Sequence, residues 1–105
     1  MSSSGATVVV LYPRTANSTF KLDYYLSTHM PLATKTRTKY GLKSWSVTQL
    51  SGDAPYSIHV LMKWDNREAF GKALQDPGTQ EVMADVENFS SEKPVLIQGN
   101  VVGQR

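Results

Sequence analysis

The chain has 105 residues, a formal net charge of +2 and no cysteine. Its length indicates one small domain. The absence of cysteine excludes disulfide bonds, thiolate catalysis and cysteine-ligated metal sites. No apolar run approaches the ~20 residues that span a membrane, and the first residues have neither the basic nor the apolar region of a signal peptide. We therefore expect a cytoplasmic protein without a membrane partner.

The first half of the chain predicts a strand, a helix and a strand. Residues 1–6 are expected to form a disordered tail, followed by one domain over residues 7–103. Residues 7–12 form a β-branched run that Pro13 ends, as in a buried strand. A helical period then begins, and Pro31 predicts a kink or a new start near Met30. The inward stripe of this helix is Leu22, Tyr25, Leu26 and His29.

The end of this helix and the next two strands are marked by turn residues. Gly41 suits the left-handed conformation that ends many helices. A moderately polar strand is predicted over residues 42–50, and a strand with alternating apolar side chains over residues 56–64. Asp65, followed three residues later by Glu68, resembles a capping box that begins another helix. Its predicted buried stripe is Ala69, Phe70, Ala73 and Leu74.

The last part of the chain predicts a short helix and a strand. The sequence Asp76-Pro77-Gly78 interrupts the preceding helix, residues 79–86 form a further short helix with Val82, Met83 and Val86 inward, and residues 95–102 form the last strand. The order is β-α-β-β-α-β, which predicts an α+β ferredoxin-like fold with a four-stranded antiparallel sheet and helices on one face. Because the other sheet face would be apolar and uncovered, we expect a homodimer that encloses an apolar pocket, a dimeric α/β barrel.

Two segments carry a resemblance to a known family. The first runs from Thr19 to Ala33 and contains Tyr24-Tyr25, His29 and Pro31 in order; the second is Asp85-Val86-Glu87-Asn88-Phe89-Ser90. Together they resemble the signature of the EthD-domain family of the dimeric α/β-barrel superfamily, and the similarity covers about residues 7–102. The resemblance implies roles in xenobiotic degradation or polyketide pathways. The superfamily includes cofactor-free monooxygenases, cyclases and isomerases, as well as haem-binding branches. Lys21 departs from the family pattern, which has Asp there, so Thr19 or another group would have to cap the helix.

His29 is the strongest candidate for chemistry. It lies one turn after Tyr25 on the inward stripe, so the two side chains can meet. A histidine there could carry a proton near neutral pH, with Tyr25 or Tyr24 polarising a carbonyl or phenol. The structural alternative is a histidine that bonds a backbone carbonyl freed at the kink before Pro31.

Other residues are candidates for a ligand pocket. His59 lies in the middle of a strand and could be a second acid or base, or only a strand histidine. Four aromatic residues could line a pocket for a planar ligand or could simply fill the core: Tyr12, Trp45, Tyr56 and Trp64. With two histidines and no ligand spacing, we expect no metal site.

A basic cluster must be weighed as a nucleic-acid or anion site. It consists of Lys35, Arg37, Lys39 and Lys43. Because most of it falls in the last turns of a helix, where cations suit the helix dipole, we interpret it mainly as a solvated helix end and expect no nucleic-acid partner. An anion site remains the alternative interpretation.

Three functional hypotheses follow. The first is a cofactor-independent enzyme that acts on a hydrophobic aromatic or polyketide-like compound, by proton transfer, cyclisation, decarboxylation or oxygenation. The second is a non-catalytic ligand-binding or stress-related assembly module of the same fold. The third is a haem-binding protein.

Overall fold

The computed structural model describes residues 5–105, which form one sheet covered by helices on one side. In chain order its elements are β1 (Ala6–Pro13), α1 (Leu22–Tyr24), a π-helical turn (Tyr25–His29), α2 (Met30–Thr38), β2 (Leu42–Gln49), β3 (Tyr56–Trp64), α3 (Arg67–Leu74), α4 (Pro77–Ala84), a 3-10 turn (Asp85–Asn88) and β4 (Val95–Asn100). No helix among residues 5–105 is long and apolar enough to span a membrane.

The sheet has the strand order β2-β3-β1-β4, and every neighbouring pair is antiparallel. This arrangement confirms the predicted ferredoxin-like fold. β1 begins at Ala6, one residue before the expected boundary, and β4 ends at Asn100 rather than at residue 102. The predicted tail falls mostly on residues 1–4, which lie outside the described residues.

The core lies between the sheet and the helices. Side chains alternate along each strand, so β1 and β3 each give one face to the core. The buried residues on this face are Ala6, Val8, Val10, Tyr12, Ile58, Val60, Met62 and Trp64. The opposite face carries apolar side chains that are only half-buried or are exposed: Val9, Leu11, Leu61, Val95 and Ile97. The helix-free face therefore has an apolar centre on β1 and β4, flanked by polar residues such as Lys63 and His59.

The first helix is continuous, but it widens into a π-helical turn just before Pro31. The N–H of Met30 donates to the carbonyl of Tyr25, five residues back. A proline ring clashes with the preceding turn of a regular α-helix, and the wider turn accommodates it. Met30 keeps helical angles, and α2 begins there with Pro31 in its first turn, so the new start predicted near Met30 is present. The extra residue also rotates Leu26 outward, and this predicted inward residue is 42% exposed.

Two other predictions about helices need correction. Asn66, not Asp65, caps α3, because the Asn66 side chain accepts a hydrogen bond from the N–H of Ala69 at 2.8 Å. Two residues predicted to point inward, Leu74 and Met83, are exposed. Gly41 has the expected positive φ, 116°. This backbone conformation favours glycine. A β-carbon there would also lie 2.8 Å from the Asp65 carboxylate, whose exposed side chain would have to move.

Candidate active site

A small cavity lies inside the chain, between the sheet and the first helix. Its volume is about 30 Å³, enough for about two water molecules. Its lining includes Val10, Tyr12, Tyr25, His29, Met30, Arg37, Val60 and Met62 from the core side. We expected the pocket to be enclosed by two copies; this cavity instead lies on the helix-covered face of one chain.

The cavity adjoins a wider, mainly apolar cleft. The cleft has a volume of about 280 Å³, and four residues line both spaces: Met83, Val86, Pro94 and Leu96. Among the described residues that line the cleft, only Lys93 is cationic. The cleft exists because the helices cover β4 incompletely, leaving Leu96 40% exposed. A benzene-sized ligand needs about 150 Å³, so an aromatic ring fits the cleft and not the cavity.

His29 lies at the end of the π-helical turn and is held by an acidic residue. Its side chain is 6% exposed, and its Nδ1 lies 3.0 Å from Oδ2 of Asp85. Because an ionised carboxylate can only accept, the Nδ1–H of His29 donates to Asp85. Nε2 of His29 makes no hydrogen bond within residues 5–105. The ring lines the cavity, so Nε2 is the nitrogen available to a ligand.

Asp85 is itself fixed by two further hydrogen bonds. The hydroxyl of Tyr24 donates to Oδ1 at 2.6 Å, and the side-chain amide of Asn88 donates to the same oxygen at 3.0 Å. Burial acts to raise the pKa of Asp85, but the hydrogen bonds from Tyr24, Asn88 and His29 outweigh it and lower the pKa. Asp85 is therefore ionised at neutral pH and orients the imidazole.

The acid–base pair is assembled from two distant segments. Asp85 begins the 3-10 turn, whereas His29 ends the π-helical turn. The N–H of Lys21 donates to the carbonyl of Phe89 at 2.7 Å, which ties the start of the first helix to the segment after the 3-10 turn. No side chain caps this helix, so the backbone bond takes the place of the Thr19 cap considered above.

Burial sets the protonation of the histidine. It lowers the pKa of His29 below 6.5, while the hydrogen bond and charge of Asp85 oppose that shift. The ring also stacks on Tyr25, with centroids 5.2 Å apart, and contacts Phe89 at 4.5 Å. A neutral imidazole with a free Nε2 can accept a proton at neutral pH.

Two buried phenols complete this side of the cavity. Burial raises the pKa of Tyr12 to about 12, although the Tyr25 hydroxyl and the charge of Arg37 partly offset the effect. Burial also raises the pKa of Tyr25, and Tyr12 adds to the shift. Both phenols are protonated at neutral pH. Because the two hydroxyls bond each other, one of them is left to donate a hydrogen bond to an oxygen in the cavity.

Arg37 is the residue that the sequence interpretation placed wrongly. Far from being solvated like its neighbours Lys35 and Lys39, it is 8% exposed and lines the cavity. Residues 29, 33 and 37 are spaced four apart and are all buried, so helical periodicity was a signal for its direction. Asp85 was also not recognised as functional, although it begins the second family-like segment.

The predicted site residues do not share one cavity in this structure. Tyr12, Tyr25 and His29 line it, and Tyr24 reaches the histidine through Asp85. The other four lie elsewhere. Trp64 is buried beside Phe70 at the far end of β3, Trp45 is 38% exposed on β2, Tyr56 is partly exposed at the start of β3, and His59 is on the helix-free face.

A metal site finds no support in the part of the chain that the structure describes. Residues 5–105 contain no cluster of three or more His, Cys, Asp or Glu side chains that could hold a metal ion. The chemistry that these residues offer is proton transfer and hydrogen bonding by an oriented imidazole, two phenols and one guanidinium.

Comparison with known proteins identifies the family. The EthD domain model matches residues 15–93. The chain belongs to the EthD family. None of the curated proteins matches it significantly.

Solved structures agree with this assignment. An EthD-like protein from Ralstonia eutropha JMP134 is 26% identical, with a TM-score of 0.84 over 100% of this chain and 97% of that one. SnoaB, a cofactor-independent oxygenase from Streptomyces nogalater, is 15% identical, with a TM-score of 0.64 and 97% of each chain covered. A dimeric protein of ferredoxin-like fold from Bacteroides fragilis is 11% identical, with a TM-score of 0.59, covering 91% of this chain and 95% of that one. The last two similarities show the fold alone.

Proposed function

We propose that this EthD-family protein is a cofactor-independent enzyme that moves a proton on a hydrophobic aromatic or polyketide-like compound. The observation that carries the proposal is that His29 lines a cavity, with Nδ1 held by Asp85 at 3.0 Å and Nε2 unbonded among residues 5–105. This is the arrangement that a general base needs, because the carboxylate orients the ring and stabilises the imidazolium that forms. The fold shared with SnoaB, a cofactor-independent oxygenase, is consistent with it.

In the proposed mechanism, the apolar body of the substrate occupies the cleft beside Met83 and Leu96. Its reacting atom enters the cavity next to His29. Nε2 takes a proton from an acidic C–H or O–H, and the substrate becomes an enolate or phenolate. This anion can regain the proton at another carbon, attack an internal carbonyl or react with molecular oxygen. A β-keto carboxylate would reach the same enolate by losing carbon dioxide, and protonated His29 would then return a proton to the carbon. One of the two phenols, Tyr12 or Tyr25, donates a hydrogen bond to the substrate oxygen while the charge develops, and the other donates to its partner.

The alternative function is binding without catalysis. The observation that favours it is the cavity volume of about 30 Å³, which requires the ring of a ligand to stay in the cleft. On this hypothesis, His29 and Asp85 stabilise the helix and do not meet a reacting atom. The test below separates the two functions.

The experiment uses deuterium exchange in 2-tetralone, an aromatic ketone with acidic C–H bonds, followed by NMR in D2O. The wild-type protein should accelerate exchange. His29→Asn should lower the exchange rate by about 10²–10⁴-fold if His29 supplies all of the general-base catalysis. His59→Asn is the matched control, because it makes the same substitution on the opposite sheet face. Equal acceleration by wild type and His29→Asn, or none by either with the ketone bound, would favour the binding module.

We further propose that the helix-free sheet face pairs with a second copy of the chain. Its exposed or half-buried apolar residues include Val9, Leu61 and Ile97, and an uncovered apolar face of this kind is typical of an interface. The dimeric state of the Bacteroides fragilis protein of the same fold supports the proposal. The pocket would then lie within each protomer, on the far side of the sheet from the interface.

A further inference from the structure

Arg37 is a buried cation without an acidic partner among the described residues. Its one hydrogen bond there joins Nη1 to the sulfur of Met62 at 3.4 Å. The three ion pairs in the described part of the chain are His29–Asp85, Lys39–Asp76 and Lys43–Asp65, and none includes Arg37. A thioether is only a weak acceptor, so most of the guanidinium's five donors are unused.

An unpaired buried charge destabilises the folded state, so this arrangement requires a physical reason. Removing an ion from water costs several kcal/mol or more unless a counter-ion or hydrogen bonds compensate. Burial lowers the pKa of Arg37, and the neighbouring tyrosines partly oppose the effect, but arginine stays charged at neutral pH. Lys35 on the same helix is exposed. The structure therefore retains one cation inside, although the same helix exposes others.

The position of Arg37 indicates what would pair with it. Arg37 lines the cavity together with His29, Tyr12 and Tyr25. Its guanidinium and one of the two phenols can donate a hydrogen bond, whereas the free Nε2 of neutral His29 is an acceptor. Asp85, the acid bonded to His29, is already engaged by Tyr24, Asn88 and His29. A cavity with room for about two water molecules can also hold the two oxygens of a carboxylate. Arginine binds such a group through two parallel hydrogen bonds.

We propose that Arg37 binds an anionic oxygen of the ligand, so that the ligands of this protein are organic acids or compounds that react as an enolate or phenolate. The inference deepens the proposed function by naming the class of substrate, and it holds equally if the protein only binds its ligand. The apolar part of the acid lies in the cleft lined by Met83, Val86, Pro94 and Leu96. The anionic group points inward to Arg37, beside the base His29.

The test compares benzoate with benzamide, a neutral molecule of nearly the same shape, by calorimetric or NMR titration of the full chain. Wild type should bind benzoate at least tenfold more tightly than benzamide. Arg37→Met, which keeps a long side chain and removes the charge, should abolish that preference. Lys35→Met is the matched control on the same helix and should retain it. Equal affinities in wild type, or a preference that survives in Arg37→Met, would overturn the inference.

Two further measurements keep the test decisive. If Arg37→Met does not fold, the guanidinium resonances of Arg37 in the wild-type protein must shift on adding benzoate and not on adding benzamide; the absence of a selective shift overturns the inference. His29→Asn should keep the preference for benzoate, because the cation remains. A preserved preference without deuterium exchange in wild type would refute the proposed catalysis and leave the role of Arg37 intact.

Discussion

At the scale of single residues, Asp85 determines what His29 can do. Burial alone would make the histidine a weak base, because the charged ring loses its hydration. The carboxylate opposes that loss and also fixes the tautomer, since its bond to Nδ1 leaves Nε2 as the acceptor. Tyr24 and Asn88 hold the carboxylate in turn. The two family-like segments of the sequence thus meet at one imidazole.

We predict that Asp85→Asn lowers the pKa of His29 further. The substitution removes the group that raises this pKa and leaves burial and the charge of Arg37, both of which lower it. An NMR titration of the His29 ring protons measures the change, with Lys35→Gln as a control on the same helix. A higher pKa in Asp85→Asn than in wild type would contradict the assigned role.

The same shift gives the sign of a stability effect. Because the pKa of His29 is lower in the folded protein than its ordinary 6.5, the unfolded chain binds more protons as the pH falls. The contribution of His29 is therefore complete above pH 6.5 and decreases from there down to its folded pKa. Because the pKa of His29 is lower still in Asp85→Asn, this decrease in stability continues to lower pH in that variant.

At the scale of elements, local sequence features determine where the helices begin and bend. The π-helical turn directly precedes Pro31 and carries the two residues that stack at the cavity, Tyr25 and His29. Such turns are frequent at functional sites. Here the turn brings both rings to the buried side, whereas the next predicted inward residue, Leu26, is displaced to the surface.

The cap of α3 can be tested by paired substitutions. Asn66→Ala should lower the free energy of unfolding by about 1 kcal/mol, because the N–H of Ala69 loses its acceptor. Asp65→Ala should cost less, since Asp65 makes only an exposed ion pair with Lys43 at 3.3 Å, and such pairs contribute little. Urea denaturation of both variants gives the comparison. A larger loss in Asp65→Ala would restore the capping box first read from the sequence.

At the scale of the whole molecule, the sheet separates two surfaces for which we propose different roles. One face packs on the helices and contains the cavity, and the other presents Val9, Leu61, Ile97 and their neighbours. A change at the proposed interface should therefore alter assembly and leave the site intact.

We predict that Ile97→Lys converts the dimer to a monomer. Ile97 is 54% exposed and lies opposite Val9 on the helix-free face. Burying a lysine charge there on dimerisation would be more unfavourable than the contacts of the interface are favourable. Sedimentation should give about twice the 11.6 kDa chain mass for wild type and the single mass for the variant. Leu74→Lys, on the exposed side of α3, is the control and should stay dimeric. A monomeric wild-type protein would refute the proposed dimer.

The sequence by itself determined the fold and the family. Alternating apolar residues in strands, helical spacing in helices and turn residues such as Gly41 are local signals, and they reproduced the order and type of the elements. The same spacing placed Tyr25 and His29 inside. Local signals were less reliable at the ends of helices, where neighbouring residues such as Asp65 and Asn66 could each be the N-cap.

Only the tertiary structure decided how the site is assembled. Asp85 lies 56 positions from His29, and no local pattern specifies that long-range hydrogen bond. The helical period allowed Arg37 to point inward, but its surroundings of Met62 and two tyrosines arise from packing between α2 and the sheet. The predicted pocket residues do not meet in the folded chain. Side chains alternate between the two faces of a sheet, which puts His59 on one face and Tyr12 on the other. Trp64 lies at the far end of its strand. Distance along a strand and side of a sheet are properties of the folded chain, since they depend on which segments pair.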